Sequence, residues 1–394
     1  MTQVQAPPGR TATATATTAV GDLPAPAADR RARGRLGSVA VGQLVVVELC
    51  ALATWLAFGG PTWLAAVVGA VAALVVIATF ARRGGRWWYE DLLLRRALRR
   101  RRGSARAAVA GGTDDPRVAA LAPELSVVEL TDRGTRLGIG QDGQGFFAAV
   151  ALAGGPDPGS GSVEASAVDR VLQVLAEFRG PVSLTQVVSH TLVWYPAPGA
   201  PPAAHRTVWV ALRLSVADAR AEAVSRGGGM RGVHRTVAAG IGRLGKALNA
   251  AGLPHRVLGR DELRTAVISA AGLDLAPQPP AETWEGLRGG GWTQRCLALR
   301  TRPAAPLGVV VDAVTATSAP SHTVAATVLP GARRVHPLLR VAATDNHVEA
   351  LVKAVRDVVR RAGAPTRPLD GQHAPGVYAT APVAAPSPAA RSVG

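Results

Sequence analysis

Val39 to Phe58 reads VAVGQLVVVELCALATWLAF, and after Gly59-Gly60-Pro61 the stretch from Thr62 to Phe80 reads TWLAAVVGAVAALVVIATF. The first run is 20 residues with Gln43 and Glu48 as its only strongly polar members; the second is 19 residues without a charge. At about 1.5 Å per residue each run is roughly 30 Å long, the thickness of a bilayer's hydrocarbon core. Trp55 and Trp63 flank the Gly-Gly-Pro turn, where an interfacial aromatic belt would lie. A buried core hairpin is the competing reading, but soluble helices seldom stay apolar on every face over two consecutive spans. A cleavable signal peptide fits no better, because the first run is long and a second follows at once. The expectation is a transmembrane hairpin over residues 36–81, with spans at 39–58 and 62–80.

Working outward, the arginines set the orientation. Arg30, Arg31, Arg33 and Arg35 precede the first span, ten more lie between Arg82 and Arg106, and the connecting turn carries no charge. The positive-inside rule then places both termini and everything after residue 81 in the cytosol of a plasma-membrane protein. About two-thirds of the formal +17 falls within residues 30–106. A nucleic-acid binder more often spreads its basic face over a folded domain with interleaved aromatics. Here the charge hugs the membrane, where anionic headgroups attract each cation by about 1 kcal/mol. The reading is an Arg-rich juxtamembrane helix over 82–106 that contacts membrane lipids and no nucleic acid. Its anchors would be Trp87, Trp88, Tyr89, Arg95, Arg96, Arg99 and Arg100, together with Trp55 and Trp63 at the far end. Glu48 would lie near the bilayer midplane, where a lone acid is costly. It is therefore the candidate contact for a polar group on another protein's membrane helix, with Gly69, Ala70 and Ala73 allowing close approach.

The flanks are of another kind. Residues 1–35 alternate Thr, Ala and Pro without an apolar period, and residues 366–394 return to Pro, Ala and Ser. Both are expected as disordered tails. Between them, residues 107–365 mix two periods. Strands are expected at Leu125–Leu130, Phe146–Leu152, Leu184–Val193, Thr207–Leu214, Trp292–Leu299, Gly308–Ala316, Thr323–Leu329 and Val335–Ala342. Helices are expected at Ala165–Phe178, Val233–Ala251, Asp261–Ala270 and His347–Arg361. The fold class is α/β: an N-terminal two-helix hairpin, then one mixed α/β cytosolic domain.

Catalytic motifs fail on context. Gly138-Ile139-Gly140-Gln141-Asp142-Gly143 has the letters of a dinucleotide loop, yet Phe146-Phe147-Ala148-Ala149-Val150 follows it as a strand. The chemistry needs a helix N-terminus there, so Asp142-Gly143 reads as a hairpin turn. Gly240 to Lys246 spells the start of a P-loop, but Ala247 stands where Ser or Thr must hold magnesium, and the segment has helical periodicity. Arg226-Gly227-Gly228-Gly229 reads as an interhelical loop. The eight histidines lack metal-ligand spacing, and Cys50 and Cys296 are too few and too far apart for a disulfide framework or a zinc site. No nucleophile with its base stands out, so no catalytic, cofactor or metal residues are assigned.

The order of elements resembles EccE, a core membrane component of actinobacterial type VII (ESX) secretion systems. The likeness rests on Gly85-Arg86-Trp87-Trp88-Tyr89-Glu90-Asp91-Leu92 after the hairpin and on Leu137 to Gly143. It continues through Arg206-Thr207-Val208-Trp209-Val210, Ala223-Val224-Ser225-Arg226-Gly227-Gly228 and Glu282-Thr283-Trp284 before Trp292-Thr293. The resemblance implies a non-enzymatic subunit at the periphery of a plasma-membrane complex with EccB, EccD and the ATPase EccC, without cofactors. It would make EccD or EccB the neighbour of Glu48. Rival classes are a membrane-tethered envelope enzyme of glycosyltransferase type and a lipid- or nucleic-acid-binding adaptor. The missing acid/base constellation weighs against the enzyme, and the juxtamembrane focus of charge weighs against nucleic acid.

Overall fold

The structure, a computed structural model, describes residues 35–36, 39–83, 86–112, 115–132, 134–154, 162–197, 199–300, 306–317, 319–329 and 335–389. The expected N-terminal tail, Arg35 apart, lies outside the described residues. Val39–Ala40 pairs as extended chain with Arg35–Leu36, so the first apolar helix begins only afterwards. This helix, α1, covers Val41–Ala57, and α2 covers Thr62–Phe80. Among the described residues only α2 is long and apolar enough to cross a membrane; α1, at 17 residues, is apolar but shorter. No residue of α2 is buried, and Gln43 Nε2 of α1 donates to Thr79 O of α2 at 3.1 Å. A tight turn leads on: Trp88 N donates to Ala81 O at 2.9 Å, and Trp87 packs edge-on against Phe80 with ring centroids 6.0 Å apart. Then come α3, Trp88–Ala110, and the short α4, Pro116–Leu121.

The rest of the chain builds a twelve-stranded antiparallel sheet. In chain order it contains β1 (Ser126–Asp132), β2 (Thr135–Asp142), β3 (Gly145–Leu152), helix α5 (Ser166–Glu177), β4 (Leu184–Trp194) and β5 (Ala203–Ser215). Helices α6 (Val216–Ser225) and α7 (Gly229–Ala250), strand β6 (His255–Val257) and α8 (Arg260–Ala270) complete this half. The second half runs β7 (Ala281–Glu282), β8 (Leu287–Gly289), β9 (Trp292–Leu299), α9 (Leu307–Thr315), β10 (Ser321–Val328) and β11 (Val335–Thr344). It ends with α10 (Val348–Arg361), β12 (Thr366–Pro368) and α11 (His373–Thr380). The spatial order is β7-β8-β9-β11-β10-β4-β5-β3-β2-β1, with β6 on β3 and β12 on β9.

That order is the same topology used twice. A three-strand meander, a helix, a hairpin, a helix, a short strand back onto the meander and a last helix occur in each half. The registers agree residue for residue. Gly145 opens β3 opposite Ser215, the last residue of β5, and Trp292 opens β9 opposite Thr344, the last of β11. His255 opens β6 against Leu152, and Thr366 opens β12 against Leu299. The halves join where β4 pairs antiparallel with β10, about a pseudo-twofold axis through the pair Val188–Ala325. Even the side-chain bonds across the axis correspond: Gln186 Nε2 donates to Ala379 O at the end of α11, and Thr323 Oγ1 to Ala270 O at the end of α8.

The central strands β3, β4, β5, β9, β10 and β11 are largely buried on both faces, hence their near-continuous apolar sequences. One face packs α5, α7, α9 and α10 over Phe146, Val210, Leu212, Leu339 and Val341. The other packs α8, α11 and the C-terminal segment over Phe147, Ala211, Cys296 and Leu338.

Two expectations are corrected. Gly308–Ala316 is the helix α9 and not a strand: Leu307, Val310, Val311 and Val314 are buried at helical spacing, and Asp169 of α5 accepts from the N–H groups of Leu307 and Gly308 at 2.7 and 3.0 Å. Residues 366–389, expected as a disordered tail, are built into the fold. Val377, Ala381, Val383 and Ala384 are fully buried, and Arg213 Nε donates to Val383 O and Ala384 O at 3.0 and 3.1 Å. Residues 390–394 lie outside the described residues.

Candidate functional site

Helix α3 is where the hairpin meets the domain. Glu90, three residues after Trp87, reaches back to its N–H through Oε2 at 3.4 Å and starts the helix. Along it Leu94, Leu98, Arg101, Arg102 and Ala105 face inward, while Trp88, Leu92, Arg96, Arg99 and Gly103 form an exposed stripe. The inward face docks on Glu282-Thr283-Trp284. Arg101 Nε and Nη2 donate to Glu282 Oε2 and Oε1 at 2.9 and 3.1 Å, a two-point fork that fixes angle as well as distance. Arg101 Nη2 also donates to Gly371 O at 2.5 Å, and Arg102 Nε donates to Glu282 O at 2.6 Å. The Arg95 guanidinium lies 4.5 Å from the Trp284 ring centre, while Arg95 Nε donates to Asp91 Oδ2 at 3.0 Å.

The C-terminal segment closes the clamp. Ala374 N donates to Glu282 Oε1 at 3.0 Å, and Gly371 N donates to Trp284 O at 2.7 Å. Gly371 has φ 71°, and a Cβ there would sit 2.5 Å from the Trp284 ring, so no other residue fits under the indole. Glu282 is buried, and its oxygens are shared between α3 and α11.

A second polar knot lies behind this one. Asp142 accepts from Arg213 Nη1 and Nη2 at 2.7 and 2.9 Å, from Tyr378 Oη at 2.5 Å, and from the N–H groups of Gln144 and Gly145 at 2.9 and 3.1 Å. Burial pushes the Asp142 carboxyl up, but the Arg213 fork and the Tyr378 hydroxyl outweigh it and hold it below its ordinary value. Tyr378 moves the other way, well above its usual range, by burial and the neighbouring carboxylate. The hairpin turn is Gly143-Gln144, one residue beyond the Asp142-Gly143 read from the sequence, and Asp142, the strand residue before it, binds the C-terminal segment. Gly240 to Lys246 lies inside α7, where no strand-to-helix loop could cradle a phosphate. Cys296 N donates to His373 Nδ1 at 3.1 Å, but burial pushes the thiol up to about 12, so it stays protonated and inert.

The anchor residues read from sequence divide. Trp55 and Trp63 are exposed at 76% and 67%, on a helix pair with little else to touch. Trp88 is about half exposed, and Arg96, Arg99 and Arg100 are exposed on α3. Trp87 is instead buried against Phe80, and Arg95 is tied to Trp284. Glu48 is exposed on α1 and has no partner among the described residues. The sequence alone does not assign the roles of Arg101, Arg102, Glu282, Trp284 and Gly371: Glu282-Thr283-Trp284 stands out only as a motif, and nothing local links it to an arginine nearly two hundred positions earlier.

Residues 202–299 match the sequence model of EccE, a putative type VII ESX secretion system translocon family. The match covers β5 to β9 and so includes Glu282 and Trp284, and it bears out the likeness to EccE read from the sequence. No curated protein matches the chain.

Proposed function

We propose that the chain is a non-enzymatic structural subunit of the membrane complex of a type VII protein secretion system, stabilising that assembly from its periphery. The observation that carries this reading is the clamp of α3 onto Glu282 and Trp284, within the stretch that matches EccE. It makes a stiff joint between an apolar hairpin and an α/β body, as a scaffold needs and a tethered enzyme does not. The hairpin would cross the plasma membrane with both termini cytosolic. Its exposed side chains, among them Leu49, Leu52, Leu56 and Ile77, form an apolar surface far larger than water tolerates. The exposed stripe of α3, with Trp88 and Leu92 followed by Arg96 and Arg99, would then lie against the headgroups. Membrane subunits of the EccB, EccC and EccD kinds are the partners this reading names.

The test is a charge-reversal pair in the full chain, co-purified with the secretion complex. Arg101→Glu should cut recovery with the complex several-fold, as should Glu282→Arg, since each leaves a charge unpaired at a cost of about 1–3 kcal/mol. The double reversal should restore much of it. Full recovery of both single variants, at wild-type abundance, would refute the scaffold reading.

A further inference from the structure

Beside the clamp lies a cavity of about 840 Å³, walled by the C-terminal half of α3, the α4–β1 connection, the β2–β3 turn and the start of α11. Its volume falls within the roughly 300–1,000 Å³ of small-ligand sites. Val109, Leu121, Ala122, Leu287 and Pro375 make an apolar wall, and Arg100 and Arg106 stand at its α3 edge. Both arginines are exposed, whereas Arg101 and Arg102, also in the wall, are already engaged by Glu282. Of the carboxylates that line it, Asp142 is neutralised by Arg213 and Glu282 by Arg101, leaving Glu124 alone against Arg100 and Arg106. The balance is cationic at the edge and apolar within.

From that pairing we infer that the cavity binds one anionic phospholipid, its phosphate between Arg100 and Arg106 and its acyl end against the apolar wall. A free phosphate would satisfy the arginines but leave the wall wet. A neutral lipid would fill the wall but leave two cations beside hydrocarbon. An anionic amphiphile matches both. The supply is at hand if α3 lies on the bilayer surface, so the inference rests on the membrane placement proposed above.

The test uses the full chain purified in a non-ionic detergent and does not depend on that placement, which vesicle co-sedimentation reads separately. Dihexanoylphosphatidylglycerol, dihexanoylphosphatidylcholine and inorganic phosphate are titrated in turn, with bound lipid counted by native mass spectrometry. The glycerol lipid should saturate at one per chain, bind about tenfold more tightly than the choline lipid, and resist competition by phosphate. Arg100→Gln and Arg106→Gln should each weaken it about fivefold. Ala122→Trp, which puts an indole into the apolar wall where the acyl end would lie, should weaken binding several-fold without lowering the thermal midpoint. Equal affinity for the two lipids, full displacement by phosphate, or unchanged binding in the two arginine variants would each overturn the assignment.

Discussion

Arg340 is wholly buried, and its hydrogen bonds run to neutral acceptors: Nη2 donates to Thr323 Oγ1 at 2.7 Å and Nη1 to Gln294 Oε1 at 2.9 Å. Burial pulls its guanidinium down to about 10. A cation kept there reaches its neighbours. Burial first, then Arg340, hold His190 well below 6.5, and its Nδ1 lies 3.4 Å from Arg340 Nη2. Burial also drives His322 down to about 3, with Arg206 and Arg340 adding to the effect. Both imidazoles are therefore neutral in the fold and charge freely once unfolded. Their stabilising effect is complete above pH 6.5 and is lost progressively as the pH falls below it, by about 1.4 kcal/mol per histidine per pH unit. Thermal unfolding of the detergent-solubilised chain should thus give a lower midpoint at pH 5.5 than at pH 7.5. His322→Gln, which keeps a polar group beside Thr315 Oγ1 but cannot titrate, should shrink that difference; an equal midpoint at both pH values in the wild type would contradict it.

At the scale of elements, α9 depends on a cap from far away in the chain. Leu307 and Gly308 have no capping side chain of their own, and both oxygens of Asp169 serve them across the α5–α9 contact. Asp169→Ala should cost about 1 kcal/mol, with Asp169→Asn in between, read as a fall in thermal midpoint with the α3 clamp unaffected. No change in Asp169→Ala would remove the cap from the account of α9. The same element explains a misreading. Three consecutive valines favour a strand locally, and the helical decision comes from burial and a partner 138 positions away. Most other elements were legible, with Trp292–Leu299 matched to the residue, because alternation and amphipathic spacing are local signals. The C-terminal segment was not. Its Ala, Pro and Gly residues look like a tail, yet it is held through its backbone: Ala384 N donates to Gln186 Oε1 at 2.7 Å, and Arg213 takes the carbonyls beside it. Backbone groups carry no sequence signature.

Over the whole molecule the pseudo-twofold repeat was equally invisible in sequence, because equivalent strands are joined by loops of unequal length and no constant period survives. The first half carries α6 and a long α7 where the second has only α10, and residue types at matched positions differ: Ala211 is the counterpart of Arg340, and Ala342 that of Arg213. Each half has a fully buried arginine, Arg213 tied to the C-terminal segment and Arg340 to the histidines, and the two halves share one sheet across the β4–β10 seam. On the membrane placement proposed above, Glu48 is where the hairpin would need a partner. It occupies the middle of α1 and is exposed, so α2 does not cover it, and Gln43 is occupied with Thr79 O. Gly69 faces Thr54 of α1, whereas Ala70 and Ala73 are exposed and leave a shallow surface for another helix. A lone acid at mid-bilayer costs about 2.5–3.5 kcal/mol, which a polar group on a neighbouring subunit's helix would offset. Glu48→Leu makes α1 more apolar, so the variant should insert at least as well as the wild type and still lose its place in the complex. Carbonate extraction reports the first outcome and co-purification with the other membrane subunits the second. Wild-type recovery of Glu48→Leu in the complex would mean that the acid faces lipid in its protonated form and that the hairpin is held by its apolar surface alone.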